Sequence, residues 1–249
     1  MPLNLVTDGG QTCHMARLPR FDLPHVPQHI VQRGNNRLPC FLDDDDRRRY
    51  LHLLREALFD TEISLHAYVL MDNHVHLLVT PPEVGAVSRL MQKLGRQYVG
   101  QFNGRHRRTG TLWEGRYKSC LVGSENYFLQ CSRYIDLNPV RARMIDDPTR
   151  YSWSSCAFLC GRRDDPLLSP HAAYAALGDS RTERSGAYRS LLHEALSDDE
   201  LQAIRAYLQQ QRALGQDDFR AMVEAKTQRF AGIRPAHRPA NARLPLPPP

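Results

Sequence analysis

Two adjacent runs, Thr61 to Leu70 (TEISLHAYVL) and His74 to Thr80 (HVHLLVT), are β-rich, and the short connection Met71-Asp72-Asn73 suits a hairpin between them. The flanking segments dictate most of the rest. Upstream, Pro24 to Gly34 (PHVPQHIVQRG) carries Val26, Ile30 and Val31 before the turn former Gly34-Asn35-Asn36, which predicts a strand ending in a polar loop. A helix follows, with Asp43 to Asp46 at its first turn, where the macrodipole favours negative charge, and with Tyr50, Leu54 and Leu58 at helical spacing toward Phe59. Downstream, Pro81 and Pro82 stop the third strand, and Val87, Leu90, Met91, Leu94, Tyr98 and Phe102 recur every three or four residues as a second helix. A fourth strand is expected around Tyr117 to Val122, then a third helix capped by Ser124, running to about Asn138 and ended by Pro139. The order strand, helix, strand, strand, helix, strand predicts an α+β, ferredoxin-like domain, an antiparallel sheet with helices on one face.

The pattern changes after Tyr151. Arg162 to Pro170 (RRDDPLLSP) reads as a connector, so residues 15–160 are expected to form the main domain, 161–180 a linker and 181–230 a helical extension. In that extension Ser197 to Glu200 is a capping box for a helix bearing Leu201, Ile204 and Leu208. Gly215 breaks the chain, and Asp217 caps a last helix through Phe219, Met222 and Val223, a pair loosely like a helix-turn-helix. Residues 1–14 are expected to be disordered or a start-site extension, since Met15 makes a natural beginning, and the Pro-rich tail 231–249 is expected to be disordered.

No run approaches the roughly 18 apolar residues needed to span a bilayer, which excludes a membrane helix, and the opening lacks a secretory pattern, so a cytoplasmic location is expected. Of the six cysteines only Cys156 and Cys160 are close in sequence, with no second pair at zinc-ribbon spacing, so buried thiols are the expectation. Net charge is +6 with a pI near 9.1, which favours a polyanionic partner. Its distribution is more informative. Arg89, Lys93 and Arg96 share one stripe of the second helix, continued by Arg105, Arg107 and Arg108 in the loop beyond and by Arg116 and Lys118, all candidate phosphate contacts. Trp113 and Tyr117 are candidates for stacking unpaired bases, and Arg33 and Arg37 flank a Gly-Asn turn that allows close backbone approach to DNA.

His74 and His76 are two apart on a strand, so both imidazoles point to one face, the start of a metal site. On the third helix Tyr134 and, one turn later, Asn138 share a face. A phenol can attack phosphorus and conserve the phosphodiester energy as a phosphotyrosine, and Asn138 offers a carboxamide oxygen to a His, His, oxygen set that suits Mg2+ or Mn2+. Tyr127, seven residues earlier, lies on nearly the same side, and spacing alone does not choose between the two tyrosines.

The stretches HIVQRGNNRLPCF, VLMDNHVHLLVTP, GTLWEGRYKSCLV and RYIDLNPVRARM resemble the single-tyrosine HUH transposases, and among them the REP-associated tyrosine transposases, over about Met15 to Phe158. The resemblance implies that residues 15–160 are the catalytic domain, that His74 and His76 are the HUH ligands, that Tyr134 rather than Tyr127 is the nucleophile, and that Asn138 is the third metal ligand. It further implies a metal-dependent endonuclease and strand transferase acting on single-stranded DNA near palindromic hairpins, leaving a 5′ phosphotyrosine and a free 3′-OH. A monomer and a homodimer fit it equally. A non-catalytic nucleic-acid binder on the same fold is the alternative of a different class. A relaxase or replication initiator would share the chemistry, but the further domains or histidine arrangement of those enzymes do not occur in this sequence.

Overall fold

The computed structural model describes residues 19–235; the expectations for 1–14 and for most of the Pro-rich tail fall outside the described residues. Strands β1 (Gln28–Arg33), β2 (Ser64–Met71), β3 (His74–Thr80) and β4 (Lys118–Val122) lie in the order β2-β3-β1-β4, each antiparallel to its neighbour. Helices α1 (Asp44–Thr61) and α2 (Ala86–Arg105) connect them. The Asp43 side chain caps α1 by accepting from the Asp46 amide, with three further aspartates in the first turn.

Both faces of the sheet are apolar, and this decides where the helices go. Ile30, Tyr68, Leu70, Val75, Leu77 and Val79 face α1 and α2 in one core. Val69, Met71, Leu78, Cys120 and Val122 form a second core against α3 (Glu125–Asp136) and α8 (Asp198–Gln210). The expectation of helices on one face therefore holds for α1 and α2 alone. Strands buried on both sides read as nearly continuous apolar runs, as β2 and β3 do, and such strands need a second cover.

That cover comes from the C-terminal part. Ala213–Leu214 form β5, which pairs in parallel with β4 through Leu121↔Ala213 and Val122↔Leu214 and makes the sheet mixed. Beyond it, α9 (Asp217–Thr227) locks on through Phe219, whose ring lies so close to Gly123 and Gly215 that a Cβ at either would fall within 2.4 Å of it. The helix-turn-helix reading is thus corrected: the turn between α8 and α9 is an edge strand, and Asp217 is the first residue of α9 after an N-cap at Gln216.

The 161–180 segment is not a bare connector. Leu168 bridges to Leu65 at the edge of β2, the Ser169 amide donates to the Leu65 carbonyl, and the buried Asp165 carboxylate accepts from the Tyr68 hydroxyl. After the short turns α4 (Asn138–Arg141), α5 (Cys156–Leu159) and α6 (Ala172–Ala175), helix α7 (Arg181–His193) starts at a capping box of Ser180 and Glu183. Its Tyr188 hydroxyl, together with that of Ser155, donates to the fully buried Asp136 at the end of α3. Cys156 and Cys160 are buried thiols with their sulfurs 4.0 Å apart.

Candidate active site

The candidate site lies on the sheet face covered by α3. Register puts Val31 beside His76 and Arg33 beside His74 on β1, and Val69 and Met71 beside the same two on β2. The two imidazoles share this face as alternation requires, with ring centroids 5.1 Å apart. Directly across, α3 brings the Tyr134 ring to 5.7 Å from that of His76. Tyr127 is carried elsewhere, into a recess with Gly215, Asp217 and Arg220 at the start of α9. The geometry thus separates two tyrosines that spacing alone left equivalent.

A third imidazole belongs to the cluster and was not singled out from sequence. His29, wholly buried on β1, sits 5.7 Å from the Tyr134 ring, and its Nε2 lies 2.9 Å from His76 Nδ1. Its own Nδ1 is buried without a partner. If His76 donates from Nδ1 to His29, its Nε2 keeps a free lone pair; likewise His74 donates from Nδ1 to the Asn73 side-chain oxygen at 2.7 Å and keeps its own Nε2 free. Burial drives all three imidazoles toward the neutral form: it pushes His29 down to about 3 and His74 to about 4, and it takes His76 well below the ordinary value, with the neighbouring His29 adding to the effect. Neutral imidazoles with outward lone pairs are what a divalent cation binds, so this donor set fits one. Among the described residues no three His, Cys, Asp or Glu side chains converge as a ready-made cage. An amide oxygen and oxygens of substrate or solvent would therefore complete the shell.

Asn138 is placed differently from the expectation. Helix α3 ends at Asp136, and Asn138 opens the separate turn α4 with Pro139 at its start, because proline is tolerated in a first turn and not in a helix interior. The Asn138 amide nitrogen donates back to the Tyr134 carbonyl at 3.2 Å, which leaves its oxygen available. Ser124 makes no side-chain cap; with φ at 52° it is a strained corner between β4 and α3.

Beside the histidines, Val31 and Arg33 form the inner wall of a cleft of about 600 Å³ that also takes in Arg20, Arg37, Arg116, Tyr117 and Lys118, with Gln209 and Gln211 from the end of α8. Among its described lining residues Glu114 is the one carboxylate. Five of the expected DNA contacts, Arg33, Arg37, Arg116, Tyr117 and Lys118, thus converge on one basic cleft. The RGNNR turn is held to the hairpin by Asn73, whose side chain donates to the Arg37 carbonyl, and Gly34 is required there because a Cβ would fall 2.2 Å from the Leu38 carbonyl oxygen.

Apart from Tyr117, which lines the cleft, the remaining candidates are not brought to the site. The Arg89, Lys93 and Arg96 stripe is on α2, across the sheet from the histidines, and Arg89 and Lys93 are paired with Glu83 and Asp60. Arg105 is tied to Asp43 and Asp46 at the start of α1. Arg107 is exposed in the turn after α2, and Arg108 folds over Phe102. Trp113 is a core residue beside Tyr98, buried because its loop turns inward at the bridge to Gly34, so it has no free face for a base. The Tyr117 ring is covered by the Arg20 guanidinium at 3.7 Å, an arginine not picked out from sequence.

Residues 24–138 match the family model described as IS200-like transposase. Over that segment the chain is similar to the IS200-like transposases. The match takes in strands β1 to β4, both histidines of the H-x-H pair and Tyr134, and transposases are DNA-cleaving and joining enzymes. Among solved structures, that of a REP-associated tyrosine transposase bound to a REP hairpin aligns with a TM-score of 0.50 and 18% identity over 64% of this chain and 93% of its own. It shares the α+β fold of this chain. A candidate transposase from Deinococcus radiodurans aligns more distantly, with a TM-score of 0.34 and 21% identity over 52% of this chain and 92% of that one. A search of curated proteins gave no match. No helix among the described residues is long and apolar enough to cross a membrane.

Proposed function

We propose that this protein cuts and rejoins single-stranded DNA beside a palindromic hairpin through a covalent tyrosyl intermediate, with Tyr134 as nucleophile. The observation that carries the reading is the approach of the Tyr134 ring to the neutral His29, His74 and His76 cluster, with Val31 and Arg33, the strand neighbours of His76 and His74, lining a cationic cleft. The Tyr134 oxygen forms a bond to phosphorus while the bond to the 3′ oxygen breaks; that oxygen takes a proton and leaves as a free 3′-OH, and the 5′ phosphate stays on the tyrosine. His74 and His76, with the Asn138 oxygen, hold Mg2+ or Mn2+, which when bound withdraws charge from the phosphate and steadies the leaving oxygen. His29 keeps His76 in the tautomer that presents Nε2. The cleft cations Arg33, Arg37, Arg116 and Lys118 guide the strand's phosphates. A hairpin partner is supported by the similar structure, which is bound to a REP hairpin.

The test is a labelled hairpin oligonucleotide with a single-stranded flank, incubated with Mg2+ or Mn2+. The expected product is a covalent protein-DNA adduct that disappears in Tyr134→Phe. An adduct that persists in that variant and is lost in Tyr127→Phe would move the nucleophile, and no adduct from the wild type would leave a nucleic-acid binder.

A further inference from the structure

The cleft cations, Arg33 beside His74 among them, are assigned to guiding the strand, and the groups assigned to the reacting phosphate itself carry no positive charge: the histidines are neutral, and so are Tyr134 and Asn138. Attack by the phenolate adds negative charge to a group that already has one, and enzymes meet such charge with donors fixed in advance. Arg141, in the turn α4 that follows the catalytic helix, is placed for this. Its guanidinium carbon lies 4.3 Å from the centre of the Tyr134 ring, and one Nη2 hydrogen bond goes to the Tyr134 carbonyl. A guanidinium has five N–H donors, so most of the fork remains free.

Two further observations point to an anion. Arg141 makes no ion pair with any carboxylate among the described residues, although it is only partly exposed, and an unpaired, desolvated cation costs free energy that a bound anion recovers. Burial above all, with a smaller contribution from the exposed Arg205 on α8 and against the pull of Tyr134, brings its pKa down to about 10. The positive charge is concentrated beside one tyrosine.

We infer that Arg141 grips the scissile phosphate beside Tyr134, and afterwards the phosphate of the phosphotyrosine, through two parallel N–H bonds to its non-bridging oxygens. The inference rests on Tyr134 as nucleophile and adds a residue to that reading. Arg141 remains protonated throughout and exchanges no atoms with the substrate. Its planar fork explains arginine here, since a lysine offers only a point charge.

The test is a scan of single methylphosphonates, which remove one phosphate charge at a time, along the single-stranded flank, with binding measured in EDTA so that nothing is cleaved. Wild-type protein should lose roughly tenfold in affinity at one position, and Arg141→Gln should bind the unmodified strand about as weakly and show no further loss there. An Arg141→Gln protein as sensitive as wild type at every position would overturn the inference. Should that variant fold poorly, Arg141→Lys keeps a donor for the Tyr134 carbonyl; with melting unchanged, its adduct formation should fall on the order of 100-fold in kcat with little change in KM, whereas an unchanged rate would overturn the inference. Failure of the tyrosine reading is seen separately, as absence of an adduct from the wild type in Mg2+ or Mn2+.

Discussion

If the C-terminal helices are part of the core around the sheet, a cavity beneath α8 should loosen the whole molecule. Ile204 is the sharpest place to make one, because it is completely buried among Cys120 and Val122 of β4, Phe128 of α3 and Leu208. Ile204→Ala removes about three buried carbons, worth about 2.4 kcal/mol at ~0.8 kcal/mol per methylene. A residual cavity adds to that, for a total of about 3 kcal/mol within the usual range of about 2 to 5 for such truncations. For a domain of this size that corresponds to a melting temperature lower by about 6 to 12 °C. Calorimetry or urea unfolding followed by both circular dichroism and tryptophan fluorescence should show one transition moved as a unit, with the exposed Gln202→Ala unchanged within about 0.5 kcal/mol. Two transitions, with only the weaker one moved by Ile204→Ala, would refute the single core and restore an independent extension. The same packing implies that deleting everything beyond Ser180 unfolds the protein rather than merely weakening hairpin binding, since β5 and both α8 anchors go with it.

Asp136 is raised to about 7 from an ordinary 3.8, first by burial and against the hydrogen bonds from Ser155 and Tyr188. Because its folded pKa is the higher, its contribution to stability is full below about 3.8 and fades as pH rises through 7, at most about 1.4 kcal/mol per pH unit; Asp136→Asn should flatten the fall in unfolding free energy between pH 5 and pH 8, and an unchanged slope would exclude Asp136 as its source. Neutralising Arg33 and Lys118 together should reduce the slope of log affinity against log salt for single-stranded DNA by about 1.4, whereas Arg89 and Lys93, across the sheet, should leave it unchanged. Equal effects from the two pairs would mean that the strand does not follow the cleft. His29→Ala should weaken Mn2+ binding by about 10- to 100-fold in a titration followed by electron paramagnetic resonance, with no substrate present; full affinity would leave His29 as packing only. Trp113→Ala should cost about 3 to 5 kcal/mol of stability, as a core truncation does, and a stable variant defective only in DNA binding would reinstate the base-stacking role.

What could be read along the chain was whatever has a local period. The alternation of His74, Val75 and His76 fixes one shared face whatever the strand pairs with, and the Ser197 to Glu200 box marks a helix start by chemistry contained in four residues. The basic stripe of α2 was equally legible as a stripe. Which side of the sheet it occupies depends on the strand order, and the apolar runs of β2 and β3 do not say which helix covers which face. β5 was invisible because two residues carry no period at all.

His29 shows most clearly why the site could be only half read. In the sequence it is one polar residue in QHIVQRG, forty-seven positions from His76, and its alternation with Val31 and Arg33 says only that these three share a face. That face acquires meaning when β1 enters between β3 and β4, since Val31 then lies opposite His76 and His29 opposite Leu78, within reach of the His76 ring. Local pattern supplies the paired histidines, whereas non-local pairing supplies the imidazole that contacts one of them. Tyr134 depends on the same pairing: α3 can lay it over the histidines only because the second sheet face is apolar enough to hold that helix, and α8 and β5 complete the cover. The C-terminal part therefore bears on the candidate site through packing.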